Sequence, residues 1–514
     1  MNLPKLLDCT LRDGGYYTNW DFPPALVSSL FKSISQLPID AVEIGYRSIL
    51  LKGYYGKFFY CPQFVLEQAR KELGSKVKIA VMIDEKNCNA EELKKIILPH
   101  SDLIDIVRFA VDPSRIQNMQ PMLEVLADNN LESAVNLMYA SRYRDDVDSL
   151  LGAMATVSGA SYLNLVDSYG GLYPHEVTNM VTRIKRESTM TLGFHGHNNL
   201  ELAFANALSA VEAGCEWVDS TLTGMGRGAG NLKTELMLTH LAAMDLVTVD
   251  MDVLSSLVDS FEDLRQEHQW ATSLPYMVSG ASSLPQKDVM DWVTKRRYSM
   301  NSIVRALSNQ KSKLEDNVQL PKFAPTVSNA PLLIVGGGPS VTEHAVGLRK
   351  WIEGQGELTL IHSSAKNARA FDGLKNRQIF CLVGNEGYRM EKVFEGHIDN
   401  ESIGLLPPYP RRMGTYIPEV INGRSFELPE ITFTEKYEDS HTALALQAAI
   451  DCGKREIWFV GYDGYPSSPS VMEHDLFIEN EYMFSKVREI GIDLKSLTLS
   501  SYNSFNWHSL YEKL

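Results

Sequence analysis

Short β-rich runs alternate with helical segments over the first 245 residues, and this alternation restricts the fold more than any other feature of the chain. Eight runs have the length and composition of buried strands: residues 5–10, 41–46, 78–83, 103–110, 133–138, 162–168, 190–195 and 217–223. Segments with helical spacing and charged faces, such as residues 174–186, separate them. Eight such units predict an α/β fold, a TIM (β/α)8 barrel, whose functional residues lie at the carboxyl ends of its strands.

The chain has 514 residues, more than a single ordinary core needs, so we expect more than one domain. Residues 1–245 are predicted to form the barrel, and residues 246–308 a helical extension. Residues 309–330 shift to Ser, Gln, Lys, Asn and Pro with little periodicity, which predicts a linker. Residues 331–514 alternate short strands with helical stretches and predict a second, open α/β domain of Rossmann-like type.

Composition excludes several classes of protein. Hydrophobic residues make up 44% of the chain, yet no apolar run approaches the ~20 residues that span a bilayer, so we expect no membrane span. No signal peptide is visible, and the six cysteines lack the Cys-x-x-Cys spacing of zinc sites, which favours a cytoplasmic protein with reduced thiols. A net charge of −15 disfavours nucleic acid as a partner. We also expect a homo-oligomer.

Polar residues follow most of the predicted barrel strands. Because the carboxyl ends of the strands share one face of a barrel, this repetition favours one pocket over a set of unrelated caps and turns. The residues that we expect to contact substrate in it are Glu43, Arg108, Asn136, Asp167 and Ser168.

Asp13, His195 and His197 have the chemistry of a metal site. One carboxylate oxygen and two imidazole nitrogens suit an octahedral divalent ion with open positions, such as Mg2+, Mn2+ or Co2+. Arg12, beside this ion, is placed to hold a carboxylate or stabilise an enolate. A His-x-His pair in a strand is also compatible with simple hydrogen bonding, and the glycine-rich residues 224–231 with a flexible loop capped by Asn231.

Taken together, residues 8–15, 194–199 and 224–231 resemble the metal-dependent (β/α)8 family of 3-hydroxy-3-methylglutaryl-CoA lyase, 2-isopropylmalate synthase and 4-hydroxy-2-oxovalerate aldolase. The resemblance covers roughly the first 300 residues and is nearest the aldolase branch, because the loop lacks the catalytic cysteine of the lyase. It implies that Asp13, His195 and His197 are metal ligands and that Asn231 is a further ligand. The implied ion is Mn2+ or Mg2+, with Co2+ and Zn2+ as alternatives.

The resemblance also implies a reaction: a 2-oxo acid and an aldehyde are joined or separated through a pyruvate enolate, whose charge Arg12 stabilises. The aldolases carry a histidine three residues after the metal aspartate, where this chain has Tyr16, followed by Tyr17. A neutral tyrosine, with a pKa of about 10, is a weak base at pH 7. Either tyrosine therefore acts through water, or another group is the base. A Claisen-type synthase using an acyl-CoA, and a degenerate barrel serving as a binding module, are the alternative hypotheses.

In the second domain a predicted strand at residues 331–335 runs into Gly336, Gly338 and Ser340. A strand, glycine turn and helix start can bind an anion or phosphate, although the sequence is not Gly-x-Gly-x-x-Gly. The segment weakly resembles the nucleotide-binding folds of sialyltransferase-like and flagellin-glycosylation proteins, which implies a nucleotide or nucleotide sugar as ligand. A structural or partner-docking domain is the alternative. The pairing of the two domains suggests synthesis of an unusual sugar for a surface polysaccharide.

Overall fold

The computed structural model describes residues 3–295, 298, 300–314, 317–325, 327–384, 386–394, 398, 401–411, 414–465 and 471–514. The chain divides into two compact units, Met1–Thr294 and Lys295–Leu514. This division falls within the predicted helical extension, so the last helix of residues 246–308 belongs to the second unit.

Unit 1 contains a closed barrel of eight parallel strands, which confirms the predicted TIM barrel. The strands pair in chain order, and the first closes the ring by pairing with the eighth. They are β1 (Lys5–Asp8), β2 (Ala41–Tyr46), β3 (Lys78–Asp84), β4 (Ile106–Val111), β5 (Glu132–Leu137), β6 (Tyr162–Asp167), β7 (Thr191–Gly196) and β8 (Trp217–Ser220).

Most helices of unit 1 bury an apolar face. In the helix Pro174–Glu187, for example, proline opens the first turn, Glu176 caps it, and Val177, Met180, Val181 and Ile184 are buried at helical spacing. The barrel helices are α1 (Thr10–Thr18), α2 (Pro24–Ile34), α3 (Lys57–Tyr60), α4 (Gln63–Leu73), α5 (Ala90–Ile97), α6 (Gln120–Asp128), α7 (Val147–Met154), α8 (Pro174–Glu187), α9 (Ala203–Ala213) and α10 (Thr234–Ala243). Four more follow: α11 (Met251–Ser260), α12 (Glu262–His268), α13 (Leu274–Ala281) and α14 (Gln286–Lys295).

The first strand is shorter than predicted. Its prediction extended to Thr10, but β1 ends at Asp8 and α1 begins at Thr10. The Asp8 carboxylate accepts hydrogen bonds from the Thr10 amide at 3.0 Å and the Thr234 hydroxyl at 2.8 Å, which ends the extended backbone there. Arg12 and Asp13 consequently project from the first turn of a helix.

The barrel interior changes from apolar to polar along the strands. One cluster at the amino-terminal side contains Leu7, Cys9, Ala41, Ala80, Ile106, Ala134, Tyr162 and Trp217. Two residues further along, on the same face of each strand, come Glu43, Arg108, Asn136, Asn164 and Asp219, all at most 2% exposed. A polar layer therefore separates the apolar floor from the carboxyl ends of the strands.

Unit 2 contains an open sheet of eight parallel strands, in agreement with the predicted α/β class. The spatial order is β13-β12-β11-β10-β9-β14-β15-β16, so the winding direction reverses beside β9. The strands are β9 (Leu332–Val335), β10 (Thr359–His362), β11 (Gln378–Cys381), β12 (Ile403–Leu406), β13 (Ser425–Glu427), β14 (Glu456–Val460), β15 (Asp493–Ser496) and β16 (Asn506–Trp507). The helices are α15 (Met300–Lys311), α16 (Ser340–Glu343), α17 (Ala345–Gly354), α18 (Glu386–Phe394), α19 (His441–Asp451) and α20 (Val471–Glu489).

Residues 309–330 contribute to the packing of unit 2. Lys322 forms a parallel bridge with Glu427, the last residue of β13, and Phe323 is 4% exposed within the hydrophobic core of the sheet. Residues 309–330, although they show little periodicity, therefore add apolar contacts to the domain that follows them.

No helix among the described residues is long and apolar enough to cross a membrane. All six cysteines are unpaired, and five of them are buried.

Candidate active site

A cavity of about 170 Å³ lies at the carboxyl ends of the barrel strands. Its walls come from β2 to β7, from α1 and from the glycine-rich loop after β8. The residues of its lining that carry the chemistry are Arg12, Asp13, Tyr16, Tyr46, Asn136, His195, His197 and Arg227.

Asp13, His195 and His197 are brought together in this cavity. One ligand atom of each lies within 4.8 Å of the others, and all three side chains are buried. Hard oxygen and imidazole nitrogen donors at this separation fit an octahedral Mg2+, Mn2+ or Co2+ better than a structural zinc, which favours thiolate.

The protonation states of the three residues suit a cation. Burial lowers the pKa of His197 to about 3, so its ring is neutral near pH 7 and its buried Nδ1 has no partner among the described residues. Burial alone would raise the pKa of Asp13, but the charge of Arg12, together with the hydrogen bond from Asn231, outweighs it and holds that pKa well below its ordinary value. His195 Nδ1 lies 3.0 Å from Asp219 Oδ2, and this carboxylate selects the tautomer with Nδ1 protonated, leaving Nε2 as the ligand atom.

Asn231 lies beside the metal aspartate. Its Nδ2 donates to Asp13 Oδ2 at 2.5 Å, whereas its Oδ1 is buried with no partner among the described residues. The loop approaches so closely that a Cβ on Gly226 would lie 2.3 Å from Asn231 Nδ2 and 2.7 Å from Asp13 Oδ2. Only glycine at position 226 lets the loop bring an amide oxygen to this point.

Arg12 begins a buried chain of alternating charges. Its guanidinium contacts Asp13 Oδ1 at 2.5 Å and Glu43 Oε2 at 2.6 Å. Arg108 continues the chain, with Nη1 3.3 Å from Glu43 Oε1 and Nη2 2.5 Å from Asp219 Oδ2. Neither Glu43 nor Arg108 lines the cavity, so the structure places these two predicted substrate contacts in the polar layer beneath it.

The two tyrosines after the metal aspartate point in different directions. Tyr16 lines the cavity, and its hydroxyl lies 3.2 Å from the Tyr46 hydroxyl. Tyr17 donates to the Gly228 carbonyl at 2.8 Å, and burial raises the pKa of its hydroxyl well above the ordinary value. Tyr17, predicted as an alternative catalytic residue, thus anchors the glycine-rich loop instead of facing the cavity.

Of the remaining predicted substrate contacts, Asn136 lines the cavity but Asp167 and Ser168 do not. The Asp167 carboxylate accepts from the Gly171 amide at 3.1 Å and the Leu172 amide at 3.0 Å, and burial raises its pKa to about 6. Ser168 Oγ accepts from the Tyr139 amide at 2.8 Å. These two polar side chains at the end of β6 shape loops and do not reach the site.

Sequence reasoning missed Asp219 and Arg227. Asp219 stands two residues after Trp217 on the same face of β8, so strand alternation alone could have placed it in the polar layer. Arg227 sits among four glycines in the loop that follows, where no periodicity indicates a direction.

In unit 2 the predicted phosphate position is held by a carboxylate. Asp463 accepts from the Ser340 amide at 2.9 Å and from the Ser340 hydroxyl, and a Cβ on Gly338 would lie 2.5 Å from its Oδ2. A phosphate bound by Gly336, Gly338 and Ser340 would face this negative charge. The structure therefore argues against the predicted cofactor contacts of these three residues. A separate cavity of about 690 Å³ lies near the ends of β11 and β12.

Comparison with known proteins gave consistent matches to the barrel. The sequence profile of the family described as HMGL-like matches residues 3–260. The chain is 29% identical to an oxaloacetate decarboxylase of Mycobacterium tuberculosis over 47% of its length and 73% of the relative. It is 28% identical to a 4-hydroxy-2-oxovalerate aldolase of Chloroflexus aggregans, over 48% of its length and 71% of the relative.

Among solved structures, the N-terminal domain of a Bacteroides vulgatus protein described as an aldolase is 44% identical. The match covers 59% of this chain and 99% of that domain, with a TM-score of 0.54.

Proposed function

Because this chain belongs to the HMGL-like family, we propose that its barrel is a divalent-metal-dependent aldolase that cleaves or forms a 4-hydroxy-2-oxo acid through a pyruvate enolate. Membership confirms the resemblance drawn from the sequence, and the aldolase and decarboxylase relatives support a lyase. The observation that carries the proposal is the convergence of Asp13, His195 and His197, beside Arg12, in one cavity.

Asp13, His195 and His197, with Asn231 as a further ligand, would hold a divalent ion, and the bound ion would supply the electrophile that polarises the 2-oxo group. Arg12 keeps its positive charge beside this position, because Glu43 and Asp13 outweigh the effect of burial and raise its pKa. Its guanidinium stabilises the oxygen on which negative charge develops when the carbon–carbon bond breaks.

Tyr16 is the residue that we place on the proton path. Burial and the neighbouring Tyr16 raise the pKa of Tyr46 well above its ordinary value, so the Tyr46 hydroxyl stays protonated and can donate to Tyr16 Oη. The Tyr16 hydroxyl proton then points into the cavity, where it can exchange with the 4-hydroxyl of the substrate directly or through water.

The experiment that tests the aldolase proposal also distinguishes it from the two alternative hypotheses. A Claisen-type synthase would require an acyl-CoA, and a degenerate barrel would show no metal-dependent chemistry; the hypothesis of a degenerate barrel rested on Tyr16 in place of histidine. The intact set of ligands favours an active enzyme over a binding module. The hypothesis of a surface-sugar pathway rested on the pairing of the barrel with a nucleotide-sugar-like domain, and the contact of Ser340 with Asp463 gives that hypothesis no support.

Deuterium exchange into the methyl group of pyruvate tests the proposal. We expect deuterium exchange in D2O when Mn2+ or Mg2+ is present, and loss of this exchange when a chelator is added. In a second assay, we expect the metal-loaded enzyme to release pyruvate from 4-hydroxy-2-oxo acids. Turnover that requires acetyl-CoA would identify the synthase instead. No metal-dependent exchange and no turnover would refute both and leave the binding module.

A further inference from the structure

Arg227 differs from the other arginines that line the barrel cavity. Arg12 pairs with Asp13 and Glu43, and Arg115 lies 2.7 Å from Glu85. The Arg227 side chain forms no ion pair or hydrogen bond with another described residue, and its Nε is buried without a partner. It contacts the ring of Tyr16, with Cζ 5.4 Å from the ring centroid.

The Arg227 side chain is half-buried, and its Nε is shielded from water without gaining a protein partner, which costs free energy. Arg227 nevertheless stays charged: burial lowers its pKa, but the neighbouring Tyr16 and Asp13 raise it more. The Arg227 side chain lines the cavity, and no carboxylate of the described residues is bonded to it. A planar, charged donor of this kind binds a carboxylate or phosphate well.

The loop holds Arg227 in place without help from a ligand. The Tyr17 hydroxyl donates to the Gly228 carbonyl at 2.8 Å, and the Asn231 amide donates to the Gly224 carbonyl at 3.1 Å. Gly226 has no room for a Cβ, so the residue that precedes Arg227 packs tightly against the metal site. A donor fixed before binding loses little entropy when the anion arrives.

The pyruvate half of the substrate has other partners. Its carboxylate and oxo oxygen would be taken by the ion and by Arg12, under the proposed function. Arg227 lies over the ring of Tyr16, which we place near the 4-hydroxyl of the substrate. Arg227 is therefore positioned to contact the aldehyde half of the substrate.

We infer that Arg227 binds an anionic group, a carboxylate or a phosphate, on the aldehyde half of the substrate, so that the enzyme uses anionic aldehydes in preference to neutral ones. This inference rests on the proposed aldolase function. The reaction stays balanced: a proton leaves the methyl carbon of pyruvate, that carbon bonds to the aldehyde carbon, and a proton ends on the new hydroxyl. No oxidant or further reactant is needed.

The test compares matched pairs of aldehydes with pyruvate and Mn2+. Succinic semialdehyde and butanal differ in a carboxylate, and glycolaldehyde phosphate and glycolaldehyde in a phosphate. A charged hydrogen-bonded contact contributes enough for about a 10- to 100-fold preference in kcat/KM for the anionic member of at least one pair. The pair that shows it identifies the anion.

Arg227→Gln should abolish this preference, and Arg227→Lys should retain part of it. Arg183→Gln, which removes a paired charge from the outer face of α8, is the control for loss of charge. An equal loss for anionic and neutral aldehydes in Arg227→Gln, or a wild type that prefers neutral aldehydes, would overturn the inference while leaving the aldolase proposal intact. Failure of the aldolase proposal would give a different result, because the wild-type protein would then show no metal-dependent pyruvate exchange.

Discussion

Asp219 joins the buried charge network to a metal ligand, so Asp219→Asn should weaken both stability and metal binding. Its Oδ2 lies 2.5 Å from Arg108 Nη2 and 3.0 Å from His195 Nδ1. Asparagine keeps the shape but removes the charge, and breaking a buried ion pair costs about 3–5 kcal/mol. In the variant, Arg108 would still pair with Glu43, whose Oε1 lies 3.3 Å from Arg108 Nη1. We therefore expect a loss at the lower end of this range, about 3 kcal/mol in the free energy of unfolding.

The effect on the metal has a different origin. Without the carboxylate, the His195 ring loses the partner that fixes its tautomer and orientation. Loss of such a partner lowers metal affinity by about 10- to 100-fold. Because Asp219 does not line the cavity, pyruvate exchange should recover in the variant at saturating Mn2+.

Isothermal titration with Mn2+ and urea unfolding measure the two effects separately. Asp8→Asn is the matched control, because Asp8 is also a buried aspartate at the end of a barrel strand but has hydroxyl and amide partners. Its Kd for Mn2+ should stay within about twofold of wild type, because the asparagine oxygen can still accept from the Thr10 amide and keep the start of α1 in place. An Asp219→Asn protein that is destabilised but binds Mn2+ like wild type would refute the positioning role.

Three further perturbations give distinct outcomes. Burial raises the pKa of Asp167 to about 6 from an ordinary 3.8, so its contribution to stability is fully present below pH 3.8 and is lost as pH rises through 6. From pH 7 to pH 4, wild type should therefore gain about 2 kcal/mol in unfolding free energy relative to Asp167→Asn, and parallel urea profiles would contradict this. Gly226→Ala places a Cβ 2.3 Å from the nearest site atom, so pyruvate exchange should fall by at least about tenfold, whereas Gly152→Ala, with nothing within 4 Å, should leave it unchanged. Tyr16→Phe should slow hydroxy-acid cleavage by roughly 100-fold and Tyr17→Phe far less; equal losses in a cleavage assay would remove Tyr16 from the proton path.

The barrel was predictable because its physical signals are local. Strands buried on both faces read as continuous apolar runs, and the helices between them carry one apolar face each. The end of β1 was not predictable in this way. Residues 8–13 are compatible with both strand and helix, and the bonds that Asp8 accepts from Thr10 and from the distant Thr234 mark where the strand stops.

Site residues were predictable where metal-binding side chains lie at or shortly after the end of a predicted strand, as for Asp13, His195 and His197. Position alone was insufficient at the end of β6, where Asp167 and Ser168 bond backbone amides instead of lining the cavity. In unit 2 the short strands β15 and β16 carry no apolar periodicity, and the contact between Ser340 and Asp463 joins residues 123 positions apart. Such pairings depend on tertiary packing, which a single sequence does not display.

Mn2+ binding to ligand variants tests the central claim most directly. One high-affinity Mn2+ per chain is expected for wild type by isothermal titration or electron paramagnetic resonance. His197→Ala and Asp13→Ala should each weaken that site by at least about 100-fold, since a lost ligand costs more than the loss of its orienting partner. Unchanged stoichiometry and Kd in both variants would contradict the account, because the cation would then be held elsewhere.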